Sequence, residues 1–300
     1  MQTTEALRRR LETTEDLRSI VRTMKALATV SIRQYEEAVA SLELYARAVD
    51  LGMQALLHQR PEAVREMSRQ PPVRAAAIVF GSDQGLCGAF NEQIAARFFE
   101  SRLPPNGSGT SGPVLAVGAR VAARLQEGGA SLAGALTLPS SAPMIGPLVG
   151  RILERIDAWR ASNELDGVRL YFNKSDPKAI YRPRAEVLLP IDMAYLRALA
   201  AARWRPRALP ALSTDWDTLF AAVVREHLFV SLHRAIAESL ASEHAARRAA
   251  MHAAERNIDD RLAVLRGEFN QHRQRSITTE LLDIVSGYEV LRGEDAVRAD

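Results

Sequence analysis

Three sets of residues have types and spacings that could do chemistry. The first is Gly81-Ser-Asp-Gln-Gly-Leu-Cys-Gly88, a glycine-rich loop after an apolar run and before a helical stretch. In that setting backbone N–H groups at a helix N-terminus take up a phosphate. The spacing here is neither G-x-G-x-x-G nor G-x-x-x-x-G-K-[ST], so a structural turn is the simpler reading and nucleotide binding the alternative. The second is Cys87, the only cysteine. It could be a reactive thiol or a small packed side chain. It excludes an intramolecular disulfide and a multi-cysteine metal site, and fits a reducing compartment. The third is the set of six histidines. His227 and His233, or His244 and His252, lack the spacing of a metal-binding helix, and no H-E-x-x-H occurs. No nucleophile-elbow motif accompanies any Ser, His and Asp grouping. The expectation is a chain without catalytic residues, cofactor or metal.

The arginines carry more information. Arg18, Arg22, Lys25 and Arg33 fall near one face of a first helix, and Arg266, Arg273 and Arg275 cluster far along a last one. Such groups are either a solvated charged face or an electrostatic docking surface for acidic partners. Net charge is only +3 and acidic residues are interleaved throughout, which argues against a nucleic-acid footprint.

These residues need long elements to hold them. Residues 1–60 contain no proline and one glycine, Gly52, and residues 211–300 contain no proline. One helix is expected from about Thr3 to Gln59, stopped at Pro61 and again at Pro71-Pro72. Its apolar stripe reads Leu17, Ile20, Met24, Leu27, then, after a phase shift at Ser31, Tyr35, Ala38, Leu42, Tyr45, Val49. The last helix is expected from Thr214, capped with Asp217, to Leu291. Its seven-residue series Val223, Val230, Ala237, His244, Met251, Ile258, Leu265, with Glu226, His233, Arg247 and Arg261 beside it, reads as too polar for a continuous buried seam. Past Gly267 an apolar face emerges: Ile277, Leu281, Ile284, Tyr288, Leu291. At 1.5 Å per residue the helices span roughly 80 and 110 Å, so an antiparallel pair leaves an overhang of roughly 30 Å. An exposed apolar tip marks a partner surface.

Between the helices the periodicity changes. Ala75–Phe80, Val114–Val117 and Val168–Phe172 read as buried strands, and Ala89–Glu100, Ala119–Gln126 and Met144–Ser162 as helices. That alternation predicts an α/β domain with a largely parallel sheet, ending near Val187–Pro190. Pro104–Pro113 has the composition of a flexible loop, and Arg203–Pro210 that of a connection. The predicted organisation is a shaft helix over 1–60, a Rossmann-like α/β domain over 73–195 and a second shaft helix over 211–300, the two helices forming an antiparallel coiled coil. With no run of 18 apolar residues and no signal-like start, the chain is expected to be soluble, with room for a place on a membrane complex.

Three segments then resemble the gamma subunit of F-type rotary ATP synthases. They are Ile20-Val-Arg-Thr-Met-Lys-Ala-Leu-Ala-Thr-Val30; Ser82-Asp-Gln-Gly-Leu-Cys-Gly88 with Asn91; and Asn270-Gln-His-Arg-Gln-Arg-Ser-Ile-Thr-Thr-Glu280 followed by Asp283-Ile-Val-Ser-Gly287. Leu170–Lys174 and Leu188–Pro190 match further landmarks in order. The resemblance implies a non-catalytic rotor shaft inside a hexamer of alpha and beta subunits, with catalytic sites on beta. Its α/β domain would touch the epsilon subunit and the membrane c-ring, peripheral on the cytoplasmic side of a bacterial inner membrane. It implies contact with the hexamer at Met24, Lys25, Arg273, Gln274 and Thr278, and a tip held in a bearing at Ile277, Leu281, Ile284 and Tyr288. Gln84, Arg275 and the charged end Arg292–Asp300 depart from the family pattern. The alternatives are a small nucleotide-binding α/β enzyme and a static coiled-coil scaffold.

Overall fold

A computed structural model describes residues 4–63, 74–102, 112–162, 165–204, 210–211 and 214–297, with side chains as far as residue 286. The Pro71-Pro72 stop and most of the Pro104–Pro113 and Arg203–Pro210 segments lie outside these residues. Six α-helices are described: α1 (Thr4–Gln59), α2 (Phe90–Arg102), α3 (Ala119–Glu127), α4 (Ile145–Ala161), α5 (Met193–Ala201) and α6 (Trp216–Val297). Five strands are β1 (Ala75–Phe80), β2 (Val114–Val117), β3 (Gly134–Leu136), β4 (Gly167–Asp176) and β5 (Ala179–Leu189). The chain divides into two compact units, Leu27–Ala249 and the pair Met1–Ala26 with Ala250–Asp300.

The larger unit is built on the sheet, ordered β3-β2-β1-β4-β5. β1 to β4 run parallel, because each pair is joined by a helical crossover. β5 returns antiparallel to β4. The sheet is therefore largely parallel, as expected, with one antiparallel edge strand, and β3, β5 and α5 are elements the sequence pattern did not reveal. β1 and β2 are apolar at every position and buried on both faces, as strands under helices on both sides must be. On one face Ala77, Val79, Val114, Ala116 and Tyr171 pack on α2 and α3 through Ile94, Phe98, Val121 and Leu125. On the other, Ile78, Phe80, Leu115, Leu170 and Phe172 pack on α4 and on α6.

That second face overturns one expectation for α6. Between residues 228 and 247 the helix is covered almost all round, and Ser239, Ser242, Glu243 and Arg247 are among its buried residues. Polar residues on this stretch are thus buried within the chain itself. The series from Val223 to Leu265 lies on the covered side: Val230, Ala237, Met251 and Leu265 are buried, and His244 stacks on Tyr35 with ring centroids 5.5 Å apart. The helix starts one residue after Asp215, whose carboxylate accepts from the Thr218 N–H at 2.8 Å. Asp215 is thus the cap, in place of Thr214 with Asp217.

The seam of α1 also differs from expectation. Among its covered positions, Leu7, Leu11, Thr14, Arg18, Val21, Lys25, Ala28, Ile32, Tyr35, Val39, Leu42, Ala46, Val49 and Met53 form one continuous series, flanked by the half-buried Met24, Ser31 and Ala38. The series follows an unbroken four-three spacing with no phase shift at Ser31. Two charged residues occupy seam positions, and this hides the repeat from a search for apolar residues alone. Leu17, Ile20 and Leu27 lie off the seam and are exposed.

Candidate functional site

The glycine-rich loop leaves β1 at its C-terminal end and is closed on itself. The Ser82 N–H donates to Asn91 Oδ1 at 2.9 Å, Asn91 Nδ2 donates to Ser82 Oγ at 2.8 Å, and Ser82 Oγ donates to the Gln84 carbonyl at 2.8 Å. Asp83 ties the loop to the two connections beside it, at the ends of β2 and β3. One of its oxygens accepts from the Ala119 N–H at the start of α3, the other from the Leu138 N–H, both at 2.8 Å. A Cβ on Gly118 would meet the Ser82 backbone at 2.9 Å, and its φ of +119° is one few other residues adopt. This tight approach is what the glycine is for.

The loop is gripped by α6. Arg247 Nη2 donates to Glu243 Oε1 at 2.5 Å and reaches the Gln84 and Gly85 carbonyls at 3.4 Å. Both side chains are nearly sealed, at 7% and 6% exposure. Burial, opposed by Arg247 and reinforced by Asp83, pushes the Glu243 carboxyl up to about 7. Burial and then Arg247 push His244 down to about 4, which keeps its ring neutral. Cys87 is buried against Phe90 and Ala246, and burial raises its thiol. It is the packed side chain, not the reactive one.

In the smaller unit, α1 and α6 meet antiparallel through ion pairs. Arg18 Nε lies 2.6 Å from Asp259, Arg266 lies 2.7 Å from Glu15, and Arg22 and Lys25 share Glu255. Lys25 and then Arg22 hold the Glu255 carboxyl down at about 2. Leu262 and Leu265 are buried between these pairs along α6, and Leu7 and Met251 are buried beyond them. Most of the basic cluster picked out in the sequence is therefore paired inside the chain. Thr4 Oγ1 sits 3.2 Å from His272 Nδ1, at the end of α1.

Beyond His272 the helix continues for another 25 residues, about 37 Å at 1.5 Å each. Arg273, Gln274 and Thr278 are exposed on it, the Thr278 hydroxyl donating to the Gln274 carbonyl at 2.9 Å. Ile277, Leu281 and Ile284 are exposed at 47%, 58% and 68%. The Tyr288 side chain lies outside the described residues. Met24 is half-buried. The sites expected from the sequence thus form an exposed run on the overhang, plus Met24 and Lys25 on α1. The Arg247 grip on the loop was missed, and its only sequence signal was an arginine on a helix that also carries the seam.

The family model described as ATP synthase matches residues 3–291. An ATP synthase gamma chain of Xanthomonas campestris pv. campestris is 27% identical over 294 residues, covering 94% of this chain and 96% of that one. One from Chromobacterium violaceum is 28% identical over 280 residues, covering 93% and 96%. Among solved structures, a chain of the rotor of the Euglena gracilis mitochondrial ATP synthase superposes with a TM-score of 0.61 at 17% identity, covering 91% of this chain and 98% of that one. A chain of the Tetrahymena thermophila central stalk and c-ring gives 0.54 at 22%, covering 78% and 99%. An unbroken seam on α1, an α/β layer clasped by α6 and an overhanging helix end are thus features of a known kind of chain: it belongs to the ATP synthase family, among the gamma chains.

Proposed function

We infer that the chain is the central rotor shaft of an F-type ATP synthase. It transmits torque between a membrane ion-translocating ring and a catalytic alpha/beta hexamer, and so couples ion flow to ATP synthesis or hydrolysis. The observation that carries this reading is the overhang. A helix that leaves its partner at His272 and exposes Ile277, Leu281 and Ile284 on a soluble chain is built to be enclosed by something else. In this reading residues 1–60 and 211–300 are the shaft and residues 73–195 the body near the foot. The body meets an epsilon subunit and the c-ring, and the complex sits peripherally on the cytoplasmic side of a bacterial inner membrane. No helix among the described residues is long and apolar enough to cross a membrane.

Met24, Lys25, Arg273, Gln274 and Thr278 are the proposed contacts with the hexamer, and Ile277, Leu281, Ile284 and Tyr288 the bearing tip. The chain itself performs no chemistry, and the catalytic sites lie on the beta subunits. An acidic loop of those subunits would find Arg273 and Arg275 exposed, while Arg18 and Arg266 are held by Asp259 and Glu15.

Co-expression with the alpha and beta subunits is the test. A stoichiometric complex with ATPase activity is the expected product, and separate recovery of this chain would sink the rotor reading. Nucleotide titration of the full-length chain separates it from the enzyme alternative. Tight one-to-one binding would favour the enzyme, and no binding the shaft.

A further inference from the structure

The contact between α6 and the glycine-rich loop carries an unbalanced charge. Three ionisable groups come from two elements: Glu243 and Arg247 from α6, and Asp83 from the loop. They line one cavity of about 250 Å³ with Tyr35, Ser140 and His244. His244 and Tyr35 are neutral: burial and Arg247 push the imidazole down, and burial and Glu243 push the phenol up. Cys87 on the loop and Tyr181 on β5 are likewise raised by burial and uncharged. Lys174 on β4 is taken by Glu238, 3.1 Å away. Arg120 on α3 comes within 3.8 Å of where a Gly85 Cβ would stand, but is exposed to solvent. The cluster thus holds two carboxylates, the buried Glu243 and the half-buried Asp83, and one buried guanidinium.

One nitrogen of the guanidinium is also shared among several acceptors. Arg247 Nη2 serves Glu243, the Gln84 carbonyl and the Gly85 carbonyl at once, and the two carbonyls are left at 3.4 Å. Arg247 Nε is buried and has no hydrogen-bond partner among the described residues. An ionised Glu243 and the loop therefore compete for one donor group, and protonation of Glu243 would weaken the first claim and strengthen the second.

We propose that Glu243 and Arg247 form a proton-operated clamp: one proton taken from water by the Glu243 carboxylate, which also has the half-buried Asp83 nearby, releases Arg247 to hold the Gln84–Gly85 turn to α6 more tightly, and its loss loosens that hold. The cavity gives the carboxylate room for water, hence a route for the proton. A carboxyl raised from its ordinary value of 4.5 to about 7 stabilises the joint fully at pH below the ordinary value. That contribution is lost as pH rises through about 7. The clamp stands whether or not the chain turns within a complex. If it does turn, the joint between shaft helix and α/β layers stiffens on acidification.

Hydrogen exchange of the full-length chain reads the clamp directly. Amides of residues 83–88, corrected for intrinsic rates, should lose roughly tenfold of their protection from about pH 6 to about pH 8.5. Glu243→Gln, which mimics the protonated acid, should keep the acid-side protection across that range. A wild-type profile without a step, or a Glu243→Gln profile with the wild-type step, overturns the clamp. Asp83→Asn is the second arm, since it removes the surplus carboxylate. Its step should move to lower pH, and a step left at the wild-type pH counts equally against the proposal.

Discussion

Thr4 Oγ1 meets His272 Nδ1 at 3.2 Å, and this pair fixes where two helices become one. Everything on α6 beyond it projects without α1 beside it. The pair thus defines the overhang more sharply than the difference between the two helix lengths can.

Removal of residues 277–300 should leave the α1–α6 ion pairs intact, because all of those described here lie before the cut. In the rotor reading, the truncated chain still assembles with its catalytic partners but pumps fewer ions per ATP hydrolysed. Loss of assembly on gel filtration would point to a static scaffold.

Ile236 is fully buried between α6 and the sheet layer. Ile236→Ala should destabilise the larger unit by about 3 kcal/mol, the cost of a lost side chain plus an unfilled cavity. Denaturant unfolding measures it. A change under about 1 kcal/mol would mean α6 is not part of that core.

Glu255 is held down to about 2 by Lys25 and Arg22, so it supports the α1–α6 pair at any pH above its ordinary 4.5. The support should fade as pH falls through about 2. Amide exchange over residues 15–26 and 251–266 should therefore be flat from neutrality to about pH 5 and rise below it. Glu255→Gln should show the raised exchange at neutral pH. The trend runs opposite to that expected at Glu243, so the two carboxylates can be told apart in one pH series.

Cys87 is 2% exposed and its thiol is raised by burial. An alkylating reagent at about pH 8 should leave it unmodified in the folded chain and label it fully in denaturant. Rapid labelling of the folded chain would show that the loop opens away from α6.

The legible parts of the fold are those whose residues answer to one rule. β1 and β2 are short apolar runs stopped by Gly81 and Gly118, and their observed limits match the expected ones. β5 failed that test because Arg182, Pro183 and Arg184 stand in an edge strand with alternating exposure, which reads as a loop. β3 is three residues long and carries too little pattern to read. The α1 seam was hidden because Arg18 and Lys25 fill positions an apolar search skips, their cost offset by Asp259 and Glu255 from the other end of the chain. The hold of Arg247 on Gln84 spans 163 residues. No local spacing could expose it. The proposed hexamer contacts came from resemblance alone, since exposed Arg, Gln and Thr on a helix have no signature of their own.

In open α/β sheets, small molecules settle at the carboxyl ends of the strands, where the connections diverge to either side. Here β1 has β2 on one side and β4 on the other, and the turn that leaves its carboxyl end is held by Arg247. The turn at which an enzyme of this architecture would seat a nucleotide is bound instead to the protein's own helix. The sheet has taken a piece of its own chain as a guest there, so a glycine-rich turn at a strand end serves to join two parts of one chain.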